Sequence, residues 1–397
     1  MNRFYRKGAT PTERLHKLHK DEEALMGLNK VGVVATAQTE FRSAWNNAQH
    51  IDLISSVVTS VFKGSGLTID DVDFIIDSGS DVLDGRSISN CGFLGALGAH
   101  HKEEARVEED GLWAALYGVN KIRSGSASVG LIVAYSKPSE SDIDLYWNAQ
   151  VEPFYQRPVG FGQRAANGIQ AQRYIADSGV SARDLASLVA DRWAAAAASG
   201  RVAIDQVPDA DAVLNAREGA APLTDLMFSR PVDGAVAVLI AREDIARRTS
   251  RNPSFITGMG TSMDTHSVAV REAGTLSSAA KAAAMAYRNA GWTSPDVDLA
   301  EISGSSVVGE LLAIEALGLA QAGQGLSAAR DGKVAINRSG GALPADPIMA
   351  TGLVRLAEAS RQLSQPELFG GGTPSRAIVH GAGGVGMQNN CVFTLEV

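Results

Sequence analysis

Cysteine is nearly missing from this 397-residue chain, which holds only Cys91 and Cys391. Two thiols so far apart in sequence supply neither a disulfide framework nor a cysteine zinc site. No stretch approaches the ~20 apolar residues that a membrane-spanning helix needs. Positive charge is in deficit, with 36 Lys and Arg against 44 Asp and Glu, and the basic residues are dispersed, which removes support for a nucleic-acid partner. None of the seven histidines pairs four residues from another beside a third ligand, so no metal is expected. Aromatics make up only 6%, so the clusters Tyr146-Trp147 and Phe154-Tyr155 stand out. The first thirty residues lean basic, but Glu13, Asp21, Glu22 and Glu23 interrupt them and no apolar h-region follows, which argues against a secretory signal. Leu15, Leu18 and Leu25 instead predict a docking helix, and a cytoplasmic location is expected.

What is present is a long-range repeat. Gly66-Leu-Thr-Ile-Asp-Asp-Val-Asp-Phe-Ile-Ile-Asp-Ser-Gly-Ser80 aligns with Gly291-Trp-Thr-Ser-Pro-Asp-Val-Asp-Leu-Ala-Glu-Ile-Ser-Gly-Ser305. Each copy follows an apolar helical run and then reads as glycine stop, Thr-x-x-Asp turn, short strand and Ser-Gly-Ser exit. So long a period is not that of a solenoid. It predicts two similar α/β halves with a site in the seam between them.

The pattern places strands at Val31 to Thr36, within Asp70 to Asp77, at Val129 to Tyr135 and at Asp233 to Ala241. A helix is predicted over Gly111 to Arg123 and stops at Ser124-Gly125. Residues 137–230 are more polar, with two helical runs, and read as an insertion covering the first half. The expected organisation is an extension over 1–29, a first half over 30–251 with that insertion, and a second half over 252–397.

Several phrases resemble the thiolase superfamily, particularly its SCP2-type and bacterial members. Pro231-Val-Asp-Gly-Ala-Val-Ala-Val resembles a strand of that family. Ile336-Asn-Arg-Ser-Gly-Gly-Ala-Leu343 resembles its Asn-Pro-Ser-Gly-Gly-Ala loop, and Ala350-Thr-Gly resembles the helix start that follows. Gly381-Ala-Gly-Gly-Val-Gly386 resembles the glycine turn before the last strand, and Gly111 to Gly125 the helix that carries the nucleophile. The resemblance implies a thiolase fold, α/β with duplicated halves in a five-layer αβαβα arrangement and an inserted loop domain. It also implies coenzyme A as part of a thioester substrate, a homodimer or a heterodimer with a thiolase-like chain, and in some relatives a small OB-fold, zinc-bearing partner subunit.

The chemical residues of that family are replaced. Its nucleophilic Cys falls on Glu108, its two histidines fall on or near Ser303 and on Asp346, and His380 stands where many members keep an acid/base Cys. A thiolate at a helix N-terminus attacks thioesters because the dipole lowers its pKa from ~8.5; a carboxylate there is a poor acyl acceptor. A retro-aldol cleavage needs no such intermediate, only a base for the β-hydroxyl and donors for the enolate. His380 and Asp346 are the candidate acid/base groups, with Glu108 at the nucleophile position. Asn337, Ser303, Ser305, Gly340, Gly341 and Gly384 are candidate substrate-binding positions, with oxyanion donors each contributing ~3 kcal/mol when aimed correctly. Plainer roles compete: an Asp-Pro turn for Asp346, a histidine satisfied at a strand end for His380, and caps for Ser303 and Ser305. The Gly381-x-Gly-x-x-Gly386 string lacks the following helix of a dinucleotide site, so no nucleotide cofactor is expected. Three functions stay open: cysteine-independent C–C chemistry on an acyl-CoA, a degenerate subunit supporting an active partner, and an acyltransferase whose nucleophile lies elsewhere.

Overall fold

Alternation along the strands decides the layers. In the computed structural model, which describes residues 30–85, 87–369 and 373–397, Phe74 and Ile76 point to one side of their strand and Ile75 to the other. Ile132 and Ala134 likewise oppose Leu131 and Val133. Strands apolar on both faces must be covered on both faces. The first half supplies β1 (Val31–Gln38), β2 (Phe74–Ser78), β3 (Glu103–Val107), β4 (Val129–Ser136) and β5 (Gly234–Arg242). The second supplies β6 (Ser254–Met263), β7 (Leu299–Ile302), β8 (Ala335–Ile336), β9 (Arg376–Gly383) and β10 (Asn389–Glu396).

These strands lie side by side in the order β8-β7-β9-β10-β6-β1-β5-β4-β2-β3. Read outward from the centre, each half gives the same sequence of strands: β1, β5, β4, β2, β3 on one side and β6, β10, β9, β7, β8 on the other. The halves meet where β1 pairs antiparallel with β6, Val31 opposite Ile256 and Val33 opposite Ser254. The repeat seen in the sequence is thus a repeat of topology.

Three hydrophobic clusters fill the spaces between and outside the half-sheets. The first holds α1 (His50–Val61) against the outer face of the first half, through Leu53, Ile54 and Val57. The central cluster contains α2 (Gly111–Arg123) and α7 (Thr351–Ser364), which touch each other and both half-sheets through Leu112, Val119, Leu353 and Leu356. The third packs α5 (Ser277–Ala290) and α6 (Val307–Ala316) on the outer face of the second half. Helix, sheet, helix, sheet, helix is the five-layer arrangement of the thiolase fold.

Close approach in the middle layer depends on Gly111. A Cβ there would lie 2.7 Å from the Cβ atoms of both Ala134 and Leu353. Between β4 and β5, residues 137–233 carry α3 (Gln163–Ser178), α4 (Ala182–Ser199), a short helix over Ile143–Ala149 and a two-stranded hairpin. The docking helix expected on Leu15, Leu18 and Leu25, with the rest of 1–29, lies outside the described residues.

Candidate active site

The serine pair that ends each repeat copy falls into two different environments. At the end of β2, the Ser78 hydroxyl donates to the carbonyls of Glu109 and Met349. Beside it, Arg106 binds Asp77 at 2.8 Å, Asp84 at 3.2 Å and the Tyr135 hydroxyl at 2.6 Å, filling that mouth with charge. After β7, the equivalent Ser303 is buried, yet its hydroxyl has no hydrogen-bond partner among the described residues, and it lines a cavity. A buried hydroxyl left unpaired is costly, and with the cavity beside it this makes the second mouth the candidate site.

The cavity has an inner recess of about 40 Å³, lined by Ser303, Ser305, Asp346, Thr351, Gly383 and Gly384 among others. It joins an outer cleft of about 890 Å³ through Trp147, Gln163, Ser305, Asp346 and Ile348, which line both. That size suits a large ligand of mixed polarity. The insertion forms one wall and is tied to the core on both sides. Gln163 accepts from the Gly386 N–H at 2.8 Å, and Asn167 exchanges hydrogen bonds with Ser305. A separate cavity of about 190 Å³ lies against α3, but its Arg271 already donates to three carbonyls and it shares no candidate residue.

Among the described residues, Asp346 is the only titratable side chain lining the inner recess. It sits in the loop entering α7, and its backbone pairs with Arg230 and Val232. Ser229 donates to its Oδ2 at 2.6 Å and the Thr351 hydroxyl to its Oδ1. Burial holds its carboxyl above the usual carboxylate range, against the pull of those two hydroxyls.

Five of the other predicted positions fall elsewhere. His380 is completely buried on β9, with Nε2 2.8 Å from Asn390 Oδ1, and it does not line the cavity. Burial pushes its pKa down to about 4. Glu108 is exposed and turned away from the cavity, accepting from the Asp81 N–H at 2.6 Å and from Arg106 at 3.2 Å. Asn337 is buried and braces β7, accepting the Ile302 N–H at 2.7 Å. Gly340 packs against α4 and Gly341 against Asn337, behind the recess. Ser303, Ser305 and Gly384 do line it. The cap of α6 is Ser306, whose hydroxyl accepts from Gly309 N, so neither Ser303 nor Ser305 fills that role.

Sequence reading overlooked Ser229, Thr351, Trp147 and Gln163, which line the cleft or its recess. Trp147 was visible in the aromatic cluster, and Thr351 in the Ala350-Thr-Gly phrase. Ser229 carried no signal, since only the folded loop brings it to Asp346. Neither thiol reaches the recess lining. Cys91 is exposed in the Ser89–Gly92 turn, and Cys391 is buried in the central cluster. Burial, with the charges of Asp110 and Glu109, pushes the Cys391 thiol well above its ordinary pKa.

Comparison with known proteins agrees with this architecture. The thiolase C-terminal domain-like family matches residues 260–395. An acetyl-CoA acetyltransferase of Methanothermobacter thermautotrophicus is 25% identical over 91% of this chain and 96% of its own length. The benzoylsuccinyl-CoA thiolase subunit BbsB of Thauera aromatica is 27% identical over 54% of this chain and 59% of its own. Among solved structures, the Ltp2-ChsH2(DUF35) aldolase superposes with a TM-score of 0.76 at 19% identity, covering 93% of this chain and 98% of the other. Human mitochondrial 3-ketoacyl-CoA thiolase gives 0.70 at 16%, with the same coverage. With its repeated half-sheets and its shared middle helices the chain has the thiolase fold, and its residues 260–395 match the thiolase C-terminal domain-like family.

Proposed function

We propose that this chain cleaves a C–C bond of a β-hydroxyacyl-CoA by a retro-aldol reaction, with no acyl group ever attached to the protein. The observation that carries this reading is the recess itself, where a carboxyl and an unpaired hydroxyl stand and neither thiol is present. Asp346, ionised, takes the proton of the β-hydroxyl. The Cα–Cβ bond breaks, the carbonyl product leaves, and the electron pair passes into the thioester enolate. Ser303 donates a hydrogen bond to the enolate oxygen as it gains charge. Protonation at the α-carbon then releases the shortened acyl-CoA. The likeness to an aldolase that works with a DUF35 protein supports this assignment. We extend it to a dimeric cytoplasmic protein that pairs with a small OB-fold, zinc-bearing subunit of that kind.

The test is an assay of the purified chain, alone and with such a subunit, on β-hydroxyacyl-CoA substrates, following the aldehyde or ketone and the shortened thioester. Asp346→Asn is expected to lower cleavage by about 10²-fold or more while substrate still binds. Cys91→Ser is expected to change nothing. Because the base must be ionised, the rate should climb with pH through a value above the ordinary carboxylate range. Recovery of a labelled acyl group on Cys91 or Cys391 would overturn the reading. Cleavage only when a cysteine-bearing thiolase chain is added would reassign this protein as a supporting subunit.

A further inference from the structure

Three acids in a row, Glu108, Glu109 and Asp110, precede α2, and each side chain goes a different way. Glu108 faces Arg106 at the surface. Asp110 is buried as the cap of α2. Glu109 turns toward β9 and β10. Asn389 Nδ2 donates to its Oε2 at 2.8 Å. Its Oε1 lies against Gly383, so close that a Cβ on that glycine would stand 2.1 Å away. Gly383 lines the recess that holds Asp346 and Ser303. Any side chain at 383 would displace the carboxyl, so a glycine here keeps open the place that Glu109 occupies.

Glu109 differs from its neighbours in a second way. It is half-buried, so it keeps access to solvent that Asp110 lacks. Burial, with the adjoining charge of Glu108, holds its carboxyl above the ordinary range, opposed by the Asn389 hydrogen bond. From the insertion, Tyr146 comes down over the same ground. Its hydroxyl touches Met349 Sδ at 3.4 Å and lies within the fields of Glu109, Glu108 and Asp346. A half-buried acid packed against Gly383, a residue of the recess wall, can carry a proton.

We infer that Glu109 is the acid that returns the proton to the α-carbon of the thioester. This assignment rests on the retro-aldol reading and completes its proton balance. Asp346 takes one proton from the hydroxyl, and Glu109 gives one to the enolate carbon as the enolate π pair forms the new C–H bond. After the products leave, Asp346 loses its proton to solvent through the cleft and Glu109 regains one, so no further reactant is consumed. Run backward, the Glu109 carboxylate draws a proton from the α-carbon of a bound acyl-CoA, a step that needs no β-hydroxyl.

That reverse step allows a test independent of cleavage. The full chain is incubated with acetyl-CoA in D₂O, and methyl exchange is followed by NMR across pH, beside the cleavage assay. The wild type is expected to exchange, with a rate that rises as Glu109 ionises. Glu109→Gln keeps the Asn389 hydrogen bond and the volume; it should lose exchange by about 10²-fold or more and lose that pH inflection. Melting temperature and acetyl-CoA affinity should stay unchanged. Exchange at the wild-type rate in Glu109→Gln overturns the assignment, as does cleavage by a wild type that shows no exchange. Exchange that depends on Glu109 in a protein that cleaves nothing supports the assignment and refutes the retro-aldol reading. Absence of both activities refutes both.

Discussion

Asp110 accepts the Leu112 N–H at 2.9 Å and the Gly352 N–H at 2.8 Å, so one carboxyl caps both middle helices. The residue at the cap of α7 is Ala350, which has nothing to offer. Two helix N-termini favour the anion, but burial prevails and pushes the Asp110 pKa up to about 8. A raised pKa means that the folded state holds the proton more tightly than the unfolded chain. The stability it contributes is present in full below about pH 4 and is lost as pH rises through about 8. Asp110→Asn presents an NH₂ to one of those N–H groups and should cost about 1–3 kcal/mol near pH 6. Urea unfolding at pH 6 and pH 8 should show the wild type losing up to about 1.4 kcal/mol per pH unit more than the variant. At this scale the sequence was least readable. Glu108, Glu109 and Asp110 are nearly the same letter three times, and only the turn of backbone between β3 and α2 separates a surface ion pair, a half-buried acid against Gly383 and a double cap. Asp346 lines the recess at the position the family resemblance pointed to, whereas His380 is a fully enclosed imidazole, which nothing in its sequence neighbours revealed.

Element by element, the reading was far more successful. The helix predicted over Gly111 to Arg123 and the strand from Val129 stand where periodicity put them, because long apolar periods leave the backbone few alternatives. The Thr-x-x-Asp turns proved to be twin capping boxes. Asp71 accepts from the Thr68 N–H at 2.8 Å and Asp296 from the Thr293 N–H at 2.9 Å. Gly66 and Gly291 precede them with φ of 72° and 75°. Equal geometry should give equal energetics. Thr68→Ala and Thr293→Ala should each cost about 1 kcal/mol, and Gly66→Ala and Gly291→Ala a similar amount, as read from denaturant midpoints. A large difference between the twins would mean that the halves have diverged in stability as well as in sequence. The layout of the insertion was less readable, since its short helix and hairpin are held by contacts with the core more than by periods of their own.

For the whole molecule, the decisive feature is that the middle layer belongs to both halves. Leu112 and Val119 come from one half, Leu353 and Leu356 from the other, and all four sit in a single cluster. Neither half can cover its inner face alone, so calorimetry should show one cooperative transition, and a fragment ending at residue 251 should not fold. Leu353→Ala, with a cost of about 2–5 kcal/mol, should lower that single transition without splitting it. Duplication also starts a chain with two equivalent openings, and the pair of serines shows what became of them. Ser78 is bound down to carbonyls beneath a plug of arginine and aspartates, while the Ser303 hydroxyl has no partner among the described residues. The likeness of the two copies has therefore given way to a division of labour: one serine anchors its loop, and its twin faces the recess.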